Sequence, residues 1–195
     1  MLKMKNIALD FDGVIADTNK EKIKWMKEKG LNARNVDKTS FYSELKEKLT
    51  KNEIEQLYKE MSKNIFLPEI LERTQPVQGA IETIKKISEK FDIYIITART
   101  EKLIEPIYEW LGKYDINKNI KKIISSSYEL KQDICLKNNI SFLCDDDIRH
   151  LIDKKIQLRV LLSTNKEKSY DDIIIAKSWC KIGKILELTS GIQIQ

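Results

Sequence analysis

"NIALDFDGVIADTNKEK", residues 6–22, is the stretch on which the reading of this chain turns. An apolar run, Ile7-Ala8-Leu9, ends on Asp10; Phe11 separates Asp10 from Asp12, and Gly13 follows. Residues two apart on a strand share a face. Asp10 and Asp12 are therefore expected to point together at the end of a buried strand, with Phe11 turned into the packing. Two carboxylates crowded in low-dielectric surroundings repel unless a cation neutralises them or a proton is shared. Carboxylate oxygens that keep water nearby suit Mg²⁺. Gly13 permits an unusual turn and the close approach of a ligand. By itself the stretch also reads as two turn residues closing a strand.

The rest of the chain supplies the context. Apolar runs bounded by polar residues predict further strands at 92–97, 121–126, 141–146 and 158–163, after the first at 6–12. Helical patterns lie between and after them, at 80–90, 101–114, 128–138, 147–154 and 179–188. Strand alternating with helix implies a parallel sheet covered on both faces. Residues 17–75 break this rhythm. "DTNKEKIKWMKEKG" is amphipathic and ends at Gly30, a C-cap signal. Thr50 followed by Glu53 is a capping-box signature. "LPEILERT" reads as a short helix with Pro68 in its first turn. The expected architecture is α/β: a Rossmann-like three-layer parallel-sheet core, residues 1–16 and 76–195, with a small helical cap, residues 17–75, inserted after the first strand.

Bulk composition narrows the class. The 195 residues suffice for one α/β domain with a modest insertion. Apolar content of 42% against 33% charged argues for a folded globular chain. The net charge is +5, but the lysines are spread along helical patterns. That spacing describes solvated faces, not a nucleic-acid surface. Cys135, Cys144 and Cys180 sit among apolar neighbours without metal spacing and read as core thiols in a reducing cytoplasm. No apolar run reaches the ~20 residues of a membrane span, and Asp10 and Asp12 interrupt any leader-like run. A cytoplasmic chain without membrane or nucleic-acid partners is expected. No pattern specifies an oligomeric state.

Other strand ends add to Asp10 and Asp12. "IITAR" places the Thr97 hydroxyl and the backbone N–H groups that follow it at the end of the second strand. "FLCDDD" places Asp145, Asp146 and Asp147 at the end of the fourth. Lys131 falls in the first turn of a helix, which signals either a bound anion or a solvated side chain. In open α/β sheets the ligand crevice lies at these carboxyl ends.

D-x-D-G-V-x-A-D-T at the first strand, a Thr ending the second, a Lys, and paired Asp after a later strand resemble, in order, the four motifs of the haloacid dehalogenase superfamily. "PVQGAIETIKK", "IYIITAR", "KQDIC", "FLCDDD" and "SWCKIGKIL" are similar to the cytosolic 5′(3′)-deoxyribonucleotidases and related nucleotidases. The resemblance implies a Mg²⁺-dependent phosphomonoester hydrolase. In it Asp10 would be the nucleophile that becomes an aspartyl-phosphate, and Asp12 the acid and then the base. The metal would be held by the Asp10 carboxylate, the Asp12 backbone carbonyl and Asp145, with Asp146 behind them orienting its waters. Thr97, the Ala98 N–H and Lys131 would bind the phosphoryl oxygens. Aspartate at position 12 separates such phosphatases from the dehalogenating members, which lack it. A small phosphomonoester is the implied substrate, a nucleoside or deoxynucleoside monophosphate first, with a sugar phosphate or phosphoglycolate as the alternative. A non-catalytic binding protein on the same fold is the remote one.

Several residues carry plainer readings. Asp147 is expected to cap the next turn, and Ser126 with Glu129 to form a capping box. Asp17 and Thr18 belong to the first motif but also suit a helix start. Arg99 reads equally as a phosphate ligand or a solvent-facing ion pair. His150, the one histidine, reads as a surface or supporting residue. Lys121 and Lys122 precede the third strand, far from its carboxyl end. Of the insertion's aromatics, Trp25, Phe41, Tyr42, Tyr58 and Phe66, the pair Phe41 and Tyr42 is expected in a loop and is the candidate base platform.

Overall fold

The computed structural model describes residues 5–31, 38–163, 170 and 172–190. Its elements run β1 (Asn6–Leu9), α1 (Thr18–Glu28), α2 (Lys38–Leu45), α3 (Lys51–Ile65), α4 (Pro68–Arg73), α5 (Ala80–Ile87), β2 (Asp92–Thr97), α6 (Glu105–Lys113), β3 (Ile120–Ser125), α7 (Lys131–Lys137), β4 (Ile140–Asp145), β5 (Leu158–Leu162), β6 (Ile174–Ala176) and α8 (Trp179–Ser190). The six strands form one sheet in the order β3-β2-β1-β4-β5-β6, and every pairing is parallel. From edge strand β3 the chain crosses to the far side of β1. The carboxyl end of β1 is thus the switch point of the sheet, where a crevice must open.

Alternation along each strand builds two cores. Ile7 and Leu9 of β1, Ile93 and Ile95 of β2, Phe142 and Cys144 of β4, and Val160 of β5 face α5, α6 and α8. Ala8, Tyr94, Ile96, Leu143 and Leu161 face the other way, against Ile134 and Cys135 of α7. This period of two gives the three layers. Cys135 and Cys144 are buried as expected, and burial pushes the Cys135 thiol up to about 12. Cys180 departs from expectation: it lies exposed on α8.

Helices α1 to α4 gather round a third apolar cluster of their own, including Trp25, Met26, Phe41, Leu45, Ile54, Met61 and Ile65. The chain enters and leaves this segment side by side. Asp17 N donates to the Gln75 carbonyl at 2.8 Å and Val77 N to the Ile15 carbonyl at 2.8 Å. The local signals hold: Thr50 and Glu53 form the capping box, Pro68 opens α4, and Gly30 after α1 has φ +72°. Phe41 and Tyr42 do not sit in a loop. Both belong to α2, and Phe41 is fully buried against Tyr58, which removes it from any surface a ligand could reach.

Three further expectations are corrected. Residues 147–154 form only a short 3-10 turn at Ile148–His150, because Asp147 caps it through Arg149 N and Asp153 and the lysines after it have little apolar surface to bury. α7 begins at Lys131, not 128; Ser126 Oγ donates to the Thr97 carbonyl at 3.0 Å instead of capping a helix. β6, three residues long, was too short to show a period. Among the described residues no helix is long and apolar enough to cross a membrane.

Candidate active site

The register of the central strands brings the motifs level. Leu9 pairs with Ile95 of β2 and with Cys144 of β4. Asp10 N donates to the Cys144 carbonyl at 2.8 Å, so Asp10 and Asp145 leave the sheet together. Thr97 closes β2 on the other flank, fully buried, and accepts a hydrogen bond from Arg99 N at 3.2 Å. Ala98, next in the turn, is exposed.

Lys131 joins the two strand ends. Its ammonium lies 2.8 Å from Asp10 Oδ1 and 2.7 Å from Asp145 Oδ2, with the whole side chain buried. Phe11 N also donates to Asp10 Oδ1 at 2.8 Å, and Asp147 N to Asp145 Oδ1 at 2.9 Å. Lys121 and Lys122 lie outside; Lys121 pairs with Asp92 at the opposite end of the sheet.

Asp10, Asp145 and Asp146 offer oxygens that all lie within 4.8 Å of one another. Burial raises the Asp10 carboxyl to about 7, opposed by Lys131 and reinforced by Asp145 and Asp12. Burial also raises Asp145 and Asp146 to about 6 each, Lys131 opposing it at the first and Lys22 at the second. Burial disfavours the Lys131 ammonium, but Asp10 and Asp145 more than offset this and hold it above its usual range. The cluster carries more negative charge than one lysine neutralises, and a divalent cation answers that excess. All its donors are carboxylate oxygens, the set that suits Mg²⁺.

Asp12 lies close enough for its charge to raise the Asp10 carboxyl, and it has a partner to which the sequence did not point. The chain leaves β1 before Asp10, so strand alternation no longer governs Asp12. Its carboxylate lies outside the cluster of three and takes both forks of the buried Arg99 guanidinium, Nε to Oδ2 and Nη2 to Oδ1, each at 2.9 Å. Arg99 is thus neither solvent-facing nor free to bind phosphate as the sequence suggested.

Sequence reasoning also missed the groups of α1. Asn19 Nδ2 donates to Asp146 Oδ2 at 2.9 Å, and the Lys22 ammonium to Asn19 Oδ1 at 2.9 Å. Burial would lower the Lys22 pKa, but Asp146 foremost, with Tyr58, Asp12 and Asp10, raises it. Only the helical spacing of residues 19 and 22 hinted that they share a face. Asp17 instead pairs with Lys20 and makes no side-chain cap. His150 is half-buried, and burial with the nearby Lys131 charge pushes it down to about 4. Tyr42 is half-buried in α2.

A model of the family described as "5' nucleotidase, deoxy (Pyrimidine), cytosolic type C protein" matches residues 3–190. A haloacid dehalogenase-like hydrolase from Streptococcus pneumoniae shares the fold at TM-score 0.63 and 15% identity, over 95% of this chain and 99% of that one. The HAD-hydrolase YfnB from Bacillus subtilis, in a structure bound to magnesium, gives 0.61 and 14% over 95% and 99%. A protein from Haemophilus somnus described as "a predicted phosphoglycolate phosphatase" gives 0.56 and 15% over 95% and 99%. No curated protein sequence matches. The chain belongs to the matched nucleotidase family, and through it to the phosphatases of the haloacid dehalogenase superfamily.

Proposed function

We propose that this chain hydrolyses (deoxy)nucleoside monophosphates through a phosphoryl group carried on Asp10. The observation that carries the reading is the buried Asp10 at the sheet's switch point, tied by Lys131 to Asp145. Asp10, Asp145 and the Asp12 carbonyl would hold Mg²⁺, with Asp146 orienting its waters; the ion would neutralise charge on the transferring phosphoryl group. Thr97 Oγ1, the Ala98 N–H and the Lys131 ammonium would fix the phosphoryl oxygens. The Asp10 carboxylate attacks phosphorus as the ester P–O bond breaks, and Asp12 gives its proton to the departing oxygen, releasing the nucleoside alcohol. Water then gives a proton to Asp12 and attacks the phosphoryl group, breaking the Asp10–phosphorus bond and releasing phosphate.

Substrate choice would fall to the segment of residues 17–75, which would cover the crevice as a cap over the core formed by residues 1–16 and 76–195. Lys22 from this segment feels the charge of Asp146, Tyr58 that of Asp146 and Asp147, and Arg149 from the core pairs with Asp147, so the three border the same mouth. Tyr42, packed against the buried cluster that holds Phe41, remains a candidate for the base.

The test is phosphate release from nucleoside and deoxynucleoside monophosphates, sugar phosphates and phosphoglycolate, with Mg²⁺ or with EDTA. Mg²⁺-dependent turnover concentrated on nucleotides is the expected result. Turnover concentrated on the other esters would reject the substrate class and keep the chemistry. No turnover by folded protein would reject both and favour a binding protein.

Gly13 gives an independent check on the metal site. A Cβ there would lie 2.0 Å from Asp146 Oδ2, and the backbone holds φ +82°, which an L side chain resists. Gly13→Ala is expected to lower stability by about 1–3 kcal/mol. It should also shrink the rise in Tm on adding Mg²⁺, because Asp146 must move. A wild-type Mg²⁺ response in thermal melts would show that the position of Asp146 does not matter to the ion.

A further inference from the structure

Arg99 connects three parts of the molecule through one buried side chain. Its guanidinium grips Asp12 with two bonds of 2.9 Å. Nη1 donates to the Phe66 carbonyl at 3.0 Å, and Nη2 lies 3.5 Å from the Ile65 carbonyl. These are carbonyls at the C-terminal end of α3, where a cation is favoured. The Phe66 ring lies 4.7 Å from the guanidinium carbon, a cation–π distance. The Arg99 backbone is pinned as well: its N–H donates to Thr97 Oγ1 at 3.2 Å, and its carbonyl accepts from Ser125 Oγ at 2.7 Å. The terminal torsion of an aspartate is otherwise broad. A bidentate fork removes that freedom while using two of the carboxylate's roughly four lone-pair positions, which leaves about two, enough to carry a proton.

We propose that Arg99 is a positioning residue for Asp12: it fixes the plane of the Asp12 carboxylate toward the leaving group and ties that orientation to the end of α3. The inference rests on Asp12 being the proton donor to the departing oxygen. In that step the Asp10–phosphorus bond forms, the ester P–O bond breaks, and the Asp12 proton ends on the alcohol. In this first step a displaced Asp12 impairs only leaving groups that need the proton; the later attack of water, where Asp12 takes a proton, is common to all esters.

The experiment compares two esters with the whole 195-residue chain and reads the first turnover, in which the leaving group departs before water attacks. One is a nucleoside 5′-monophosphate, which departs as an alkoxide unless protonated. The other is p-nitrophenyl phosphate, which departs as a stable phenolate. Arg99→Gln is expected to lose about 10²-fold or more in the first-turnover rate of nucleoside release, the range of general-acid effects. Nucleotide affinity should change little, and the first-turnover release of p-nitrophenolate should fall by less than about tenfold, even where the water step slows both esters alike. Arg99→Lys keeps the charge at the helix end but cannot form the fork. It should recover the wild-type Tm without recovering nucleotide turnover, and it remains informative if the glutamine variant does not fold. Equal loss on both esters, or recovery of turnover along with Tm in Arg99→Lys, overturns the proposal and leaves Arg99 a structural tie. Asp12→Ala is the control for the premise. An ester-selective loss there with none in the Arg99 variants overturns the role of Arg99 alone. An equal loss there overturns Asp12 as the donor, and the inference with it.

Discussion

Asp10→Asn is expected to lower nucleotide turnover by roughly 10⁴-fold or more, the scale seen when a covalent nucleophile is removed. An amide oxygen does not form the phosphoryl ester, so wild-type protein quenched during turnover should gain the mass of a phosphoryl group and the variant should not. The fold should survive. An asparagine oxygen in the place of Oδ1 keeps the bonds from Phe11 N and Lys131. Stability should even rise at neutral pH without metal. The Asp10 carboxyl, raised from 3.8 to about 7, binds its proton more tightly folded than unfolded. Its contribution to stability is therefore present at low pH and lost as pH rises toward about 7. Asparagine never ionises, so the Tm advantage of the variant should grow between pH 4 and 7 and level off above that. Mg²⁺-dependent turnover above 1% of wild type would mean that another group, or water, attacks phosphorus. A Tm difference that ignores pH would mean that Asp10 is charged in the folded protein throughout.

Much of this fold was legible because its strands are buried on both sides. Runs such as Ile93 to Ile96 and Phe142 to Cys144 admit no other packing, and their ends delivered Asp10, Thr97 and Asp145 to one edge in the right order. Lys131 could be placed because the first turn of a crossover helix always meets that edge. The failures share a cause, which is contact across long separation. Arg99 and Asp12 are 87 positions apart, and nothing in "TAR" says which carboxylate the arginine will find. Asn19 reaches Asp146 across 127 positions. Phe41 misled for a different reason: its neighbours Thr39, Ser40 and Ser43 look like a loop, and the apolar face of α2 exists only because α3 supplies Tyr58 opposite it. Local periodicity describes an element that makes its own face. It is silent where tertiary packing creates one.

Lys131→Met tests whether the lysine at the centre of the site is a structural necessity as well as a phosphate ligand. Methionine keeps most of the buried stem and removes only the charge. Asp10 and Asp145 would then face each other without a cation, and losing one partner of a buried ion pair is worth about 3–5 kcal/mol. For a chain of this size that lowers Tm by roughly 6–20 °C. The loss should depend on pH in one direction. The lysine stays charged from pH 5 to 9, since its folded pKa lies above the ordinary 10.5 and its stabilisation is complete below that value. The pH dependence comes from the carboxylates, already raised to about 7 and 6 with the lysine present and raised further without it. Urea denaturation without metal should show the full loss at pH 8 and a smaller one at pH 5.5, where protons take the place of the ammonium. Adding Asp145→Asn to Lys131→Met should recover much of the stability at pH 8 but no turnover, because the phosphoryl ligand is still missing and a carboxylate of the metal cluster has gone as well. A loss of the same size at both pH values would trace the effect to packing of the stem. Turnover returning with stability in the double variant would remove Lys131 from the chemistry and leave it only the task of keeping two buried aspartates compatible with the fold.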